Sequence, residues 1–265
     1  MKSDLIILIA HYNNPKGLEE SILSIKEPFN VDLIIVDDGS TIKFEENHIN
    51  SLYTNGKIFF EYLNKNSGVG VAANKGFEKI EELNYLLIGR LDCGDLCYEN
   101  KYKKQLKYLN DNPKVKLLGT WARFVDEKGN FLYNLKLPIK SSTIKKKMYL
   151  NSMFCNPTVV FYADILKTTG YYPYKYRHAS QDYAFFFNAI KHFKCENYPE
   201  VLIDYIVDPN SISTTKRKLQ VKNRIKIVLE HFYFGVYPIY GLIRGYILLL
   251  FPRRITTLFK QLLKK

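Results

Sequence analysis

The chain has 265 residues, enough for one large core or for one core with an appendage. Apolar residues make up 46%, with 21 Tyr and 17 Phe, which excludes disorder as the general state. The net charge of +13 is lopsided: residues 216–265 hold twelve Lys and Arg against Glu230 alone, so eleven of the thirteen charges lie there and residues 1–215 are nearly neutral.

That shift sets an expected boundary between a body, 1–215, and a basic tail, 216–265. Residues 5–10 form a continuous apolar run that reads as a strand, too short for the h-region of a secretory signal. His11-Tyr12-Asn13-Asn14-Pro15 is a turn with a capping Asn, followed by a helix with Leu18, Ile22 and Ile25 on one face. A second strand, 31–36, runs into Asp37-Asp38-Gly39-Ser40. A third follows at 58–63, and Asn66-Ser67-Gly68-Val69-Gly70 opens a helix carrying Val69, Ala73, Phe77 and Ile80. The fourth strand, 85–91, ends in Asp92-Cys93-Gly94-Asp95. This βαβαβαβ order predicts an α/β, mostly parallel sheet with helices on both faces. Beyond Asp95 the pattern loosens: a polar helix at 99–110, a hairpin of 116–125 and 131–135, strands at 158–162 and 201–207, and a helix at 181–193.

Buried strands that end in carboxylates deliver negative oxygens to the edge where open α/β folds bind ligands. Carboxylates there can hold a divalent cation or accept hydrogen bonds from a ribose or base; an Asx turn that stops the strand is the structural alternative. The glycines of 66–70 do not complete a dinucleotide fingerprint. They follow the third strand, and Ala73 stands at the third glycine, so a tight turn and a nucleotide-contacting loop both stay open. No Walker A lysine supports ATP hydrolysis. Cys93, Cys97, Cys155 and Cys195 lack a second close Cys/His pair for zinc and read as reduced thiols.

Taken in order, residues 7–13 (ILIAHYN), 36–40 (VDDGS), 66–76 (NSGVGVAANKG), 90–95 (RLDCGD), Gly119-Thr120-Trp121 and Gln181-Asp182-Tyr183 resemble the successive motifs of glycosyltransferase family 2. The resemblance spans about residues 3–215. It implies a GT-A fold, with a nucleotide-sugar half at about 1–98 and an acceptor half at about 99–215. It also implies binding of a nucleotide-diphosphate sugar, usually with Mn²⁺ or Mg²⁺, and transfer of the sugar with inversion. His11 and Tyr12 would pack on the base, Asn13 would join the nucleotide-sugar contacts, and Asp37 and Asp38 would contact the uracil and ribose. Gly70, Asn74, Arg90 and Asp92 would complete the nucleotide-sugar contacts. The family pattern D-x-D-D reads here as Asp92-Cys93-Gly94-Asp95; Gly94 replaces one carboxylate, leaving Asp92 and Asp95 as the metal ligands. The family's E-D pair reads Gln181-Asp182. Asp182 is the implied catalytic base, with the role of a first-turn helix acid as its alternative. Trp121, Arg177, His178 and Gln181 are candidates for contact with acceptor or phosphate.

The tail places Leu219, Val221, Ile225 and Val228 among six cations, then runs largely apolar and aromatic from 232 to 251, and ends with Leu258, Phe259, Leu262 and Leu263. Basic, amphipathic helices of this kind suit an anionic membrane surface. Arg244 and the Pro/Gly breaks argue against a span; a packed or dimerising tail is the other alternative, and no motif supports a nucleic-acid partner. The expected protein is therefore an inverting hexosyltransferase, cytoplasmic and peripheral on the inner face of the cell membrane. Its acceptor would be a growing, lipid-linked glycan such as lipooligosaccharide or capsule. A sugar-phosphate nucleotidyltransferase and a catalytically weak sugar-nucleotide-binding subunit are the rival classes.

Overall fold

β1 (Leu5–His11) and β2 (Asp32–Asp37) are buried on both faces, which is why they read as unbroken apolar runs rather than as alternating strands. They pair in parallel from Ile6 opposite Asp32 to His11 opposite Asp37, so both deliver their last residues to one edge. The computed structural model describes residues 4–208 and 215–250. α1 (Pro15–Leu23) opens on Asn14, whose Oδ1 accepts the Gly17 amide at 3.0 Å. α2 (Glu46–Leu52) makes the crossover to β3 (Ile58–Tyr62), and its single buried residue, Ile49, gives it no apolar period to read. α3 (Val69–Glu82) and β4 (Leu87–Arg90) complete the βαβαβαβ half.

Alternate residues of the strands divide the core. Ile7, Ile9, Leu33 and Ile35 pack with Leu18 and Ile22 of α1 and Ile49 of α2, while Ile6, Leu8, Ile34 and Val36 pack with Ala73, Phe77 and Ile80 of α3. Helices therefore cover both faces, as the sequence predicts, and each such side chain contributes about 1.5–3 kcal/mol on burial. Gly76 lets α3 lie close: a Cβ there would meet Leu8 Cδ1 at 2.3 Å.

The second half supplies β5 (Leu96–Cys97), α4 (Lys101–Asp111), β6 (Val115–Asp126), β7 (Phe131–Leu135), α5 (Ser141–Lys147), β8 (Val160–Tyr162), α6 (Leu166–Thr169), α7 (Gln181–His192) and β9 (Lys194–Val207). Among the described residues the strands form one sheet, ordered β3-β2-β1-β4-β8-β6-β9-β5, with β7 on β6. The run β3-β2-β1-β4 is parallel. The remainder is mixed: β8 is antiparallel to β4 and β6, and β9 is parallel to β6 but antiparallel to β5. β9 begins seven residues before the expected strand at 201. Its first part, Lys194-Cys195-Glu196-Asn197-Tyr198-Pro199-Glu200, is polar and holds a proline at a register shift against Trp121, which conceals it from a pattern search.

α8 (Arg217–Glu230) and α9 (Val236–Leu250) follow. Ile227 of α8 joins the body's core, and Asn223 Nδ2 donates to the Ala179 carbonyl at 2.8 Å. The Tyr149 hydroxyl donates to the His231 carbonyl at 2.9 Å, and the His231 ring stacks on Phe187 with centroids 4.4 Å apart. The expected closing helix with Leu258, Phe259, Leu262 and Leu263 lies outside the described residues. All four cysteines are free thiols, as expected.

Candidate active site

The ends of β1 and β2 are tied together before any ligand is considered. His11, fully buried, uses both ring nitrogens: Nδ1 lies 2.7 Å from Asp37 Oδ2, and Nε2 accepts the Asn14 amide at 3.1 Å. That pattern assigns the proton to Nδ1. Burial raises the Asp37 carboxyl, but the Ser40 amide and hydroxyl and His11 outweigh it and hold the group below its ordinary value. Asn13, at φ +50°, spends Oδ1 on the amides of Thr41 and Ile42. His11, Asn13 and Asp37 thus frame the strand ends through their side-chain polar atoms.

Asp38 takes the next step outward. Its two oxygens accept the amides of Ser67 at 2.7 Å and Gly68 at 2.8 Å, fixing the turn that opens α3. Gly68 sits at φ +97°, open to glycine at little cost. Burial raises the Asp38 carboxyl, against these two amides.

A cavity of about 470 Å³ opens over this turn. Tyr12, Asp38, Ser67, Gly68, Tyr174, Arg177 and His178 line it, with Lys65 and Lys216 also on its wall. Arg177 is steadied by the ring of Tyr174, 4.1 Å from its guanidinium. Three fixed cations and two histidines line the cavity with one carboxylate, a balance that favours an anionic ligand beside an aromatic platform. Of the expected residues, His11, Tyr12, Asp38, Arg177 and His178 line the cavity; Gly70, Asn74, Arg90, Asp92 and Trp121 do not. Lys65, Tyr174 and Lys216 are additions that carry no sequence signal beyond their residue type.

A chain of polar contacts joins residues that do not line the cavity. Arg90, fully buried, donates Nη2 to Asp92 Oδ1 at 3.2 Å and Nη1 to the Leu8 carbonyl at 3.3 Å. Asn156 Nδ2 reaches both Asp92 oxygens, at 3.1 and 3.3 Å, and the Tyr172 hydroxyl donates to Asn156 Oδ1 at 2.8 Å. Asn74 holds the backbone of Tyr172 on both sides, accepting its amide at 3.0 Å and donating to its carbonyl at 2.9 Å. Asn74 is therefore a brace for this loop. The sequence carries no signal for this role of Asn156: an Asn-Pro dipeptide marks a turn, not a partner 64 residues away.

Asp182 enters from α7. Gly70 lets α7 approach α3 through Gln181: a Cβ at Gly70 would meet Gln181 Cγ at 3.0 Å, so the first turns of the two helices touch there. Burial raises the Asp182 carboxyl, as does Asp92, against the Tyr183 amide and Arg224. The charge of Asp92 thus acts on the Asp182 carboxyl in the same direction as burial. Trp121 stands apart on β6, its indole donating to the Leu137 carbonyl at 2.9 Å.

For a divalent cation, the donor set is Asp92 and Asp95. Asp95 Oδ1 accepts the Ile206 amide at 2.8 Å, while its buried Oδ2 has no partner among the described residues. Burial and Asp92 push this carboxyl well above its ordinary range. An unsatisfied carboxylate oxygen beside a second carboxylate fits a hard cation. Among the described residues, however, no three His, Cys, Asp or Glu side chains come together to hold a metal. Gly94, at φ +101°, contributes none, so phosphate and water oxygens would have to complete the shell.

Residues 6–169 match the model of the family described as Glycosyl transferase family 2. The chain belongs to that family. An uncharacterized glycosyltransferase of Methanocaldococcus jannaschii is 32% identical over 210 residues, covering 77% of this chain and 70% of that protein. The Escherichia coli protein named UDP-Gal:alpha-D-GlcNAc-diphosphoundecaprenol beta-1,3-galactosyltransferase is 28% identical over 98% of this chain and 94% of its own length. The mannosyltransferase PcManGT from Pyrobaculum calidifontis, solved with GDP-Man and Mn²⁺, superposes with a TM-score of 0.65 at 13% identity, covering 94% of this chain and 70% of that one. The fold of this family 2 chain is GT-A, and the protein is a glycosyltransferase.

Proposed function

We propose that this family 2 transferase moves a hexose-type sugar, with inversion, from a UDP-linked donor to a growing lipid-linked glycan of a bacterial surface polysaccharide. The observation that carries the reading is the cavity walled by Lys65, Arg177 and Lys216 around Asp38, with Asp182 in the first turn of α7, whose Gln181 lies against Gly70. Tyr12 offers the base a ring, and the amide-anchored Asp38 stands within reach of base or ribose. The cations hold the diphosphate. Asp92, oriented by Arg90 and Asn156, faces the ribose or the diphosphate. Asp182 takes the proton of the acceptor hydroxyl as that oxygen attacks the anomeric carbon, and the nucleoside diphosphate leaves from the opposite side. Mn²⁺ or Mg²⁺, held by Asp92 and Asp95, would offset the charge that develops on the leaving diphosphate.

The near full-length likeness to a transferase named for a diphosphoundecaprenol acceptor supports a glycolipid acceptor here. Residues 1–215 would then be the catalytic domain, and residues 216–265 would hold it peripherally at the inner face of the cell membrane. The test is a screen of nucleotide sugars for release of the nucleoside diphosphate, run with EDTA and with Mn²⁺. Release from a UDP-sugar, suppressed by EDTA and restored by Mn²⁺, is expected. Release of pyrophosphate from a sugar phosphate and a nucleoside triphosphate would replace this reading with nucleotidyl transfer.

A further inference from the structure

We propose that the outward face of α9, beside the lysine row of α8, is the surface that seats this protein on an anionic lipid bilayer. The proposal deepens the peripheral-membrane reading and rests on it. Val236, Tyr240, Ile243, Ile247 and Leu250 recur at spacings of three and four and are all exposed, Val236 to 81% and Leu250 to 77%. They form one apolar stripe, continued at the helix entry by Phe234, which is 93% exposed. A helix on a globular body ordinarily turns such a stripe inward. Here the inward side holds the small residues instead. Pro238 is buried, a Cβ on Gly241 would meet the Tyr149 carbonyl oxygen at 2.3 Å, and one on Gly245 would meet Ile225 Cγ1 at 2.7 Å. The glycines press α9 onto the body and leave its bulky side chains outside. A contiguous exposed apolar patch of this kind marks an interaction surface.

Charge identifies the occupant. α8, packed along α9, exposes Lys218, Lys222 and Lys226 at spacings of four, a single row on one helix face. Glu230 is the only acid of the tail, and it is already engaged by Lys175 and the Tyr176 hydroxyl. A second copy on this surface would bring two basic tails together with no acid to meet them. Anionic headgroups meet the lysine row with opposite charge while the stripe enters the boundary beneath. No helix among the described residues is long and apolar enough to cross a membrane. Lys216, on the wall of the donor cavity, immediately precedes α8. Docking through these helices therefore keeps the cavity close to the lipid on which the acceptor would be carried.

The experiment is flotation of the full chain with vesicles of phosphatidylglycerol and phosphatidylcholine, compared with phosphatidylcholine alone. Binding to the anionic vesicles only, falling with added salt, is expected. Replacing Lys218, Lys222 and Lys226 with Gln should weaken it about fivefold per lysine. Ile243→Asp should abolish it; Ile247→Ser, a milder change on the same stripe, should weaken it with the melting temperature unchanged. Equal binding to both vesicle types, no binding at all, or Ile247→Ser binding like the parent overturns the proposal. So does a dimer that Ile247→Ser dissociates while vesicle binding is unaltered, because the stripe would then belong to a second copy. Donor hydrolysis without lipid, followed in parallel, should be unchanged in these variants; its absence in the parent would count against the transferase reading and not against this surface.

Discussion

Asn156 Nδ2 lies 3.1 and 3.3 Å from the two carboxylate oxygens of Asp92, and its own Oδ1 accepts the Tyr172 hydroxyl at 2.8 Å. One neutral amide thus orients the acid of the donor side and joins it to the loop braced by Asn74. Asn156→Ala should cost roughly 10- to 100-fold in kcat/KM, the equivalent of a hydrogen bond to a charged group. Stability should change less, because Asp92 keeps Arg90. Steady-state kinetics alongside a thermal melt test this; a variant with parental kinetics would remove Asn156 from the site.

Asp182→Asn keeps the shape and removes the base. Turnover should fall by about 10²- to 10⁴-fold with donor binding retained. Because burial raises the Asp182 carboxyl, the group is protonated at higher pH than an ordinary aspartate. The parental rate should accordingly decline on the acid side as pH drops through that raised value, and the decline should be missing from the residual activity of Asp182→Asn. An unaltered acid limb in the variant would assign the titration to another group.

Gly70 and Gln181 should behave as a coupled pair. Gly70→Ala pushes a methyl to 3.0 Å from Gln181 Cγ, so α3 and α7 must part or Gln181 must move, at about 1–3 kcal/mol. Gln181→Ala removes the obstruction. In the double variant much of the lost stability and activity should return, giving a non-additive cycle; strictly additive losses would mean that the two helices do not meet there.

His231 should make the docking of the tail acid-sensitive. Burial, with Lys191, lowers its imidazole from 6.5 to about 4, while nearby Glu230 works the other way. Between those values the unfolded chain binds a proton that the folded chain does not, so stability is full above pH 6.5 and declines as pH falls towards 4. His231→Phe keeps a ring on Phe187 and cannot titrate. The drop in melting temperature from pH 7 to pH 5 should therefore be smaller in this variant; an equal drop would place the sensitivity elsewhere.

The parallel half of the sheet is legible in the order of residues, because buried strands and amphipathic helices write their burial into local periodicity. The strand ends at Asp37, Asp38, Asp92 and Asp95 were readable for the same reason: an apolar run that stops at an acid locates an edge. α2 and the first part of β9 were not readable, since one is held by a single buried Ile49 and the other is polar around Pro199. Tertiary structure alone decided what each acid does at that edge. Asp37 is spent on His11 and Ser40, Asp38 on the turn before α3, and Asp92 on Arg90 and Asn156. It also decided that Lys65, Arg177 and Lys216 share one cavity, and that α9 turns its glycines inward and its apolar stripe outward. Those partnerships join residues far apart in the chain, through contacts that leave no period in the sequence.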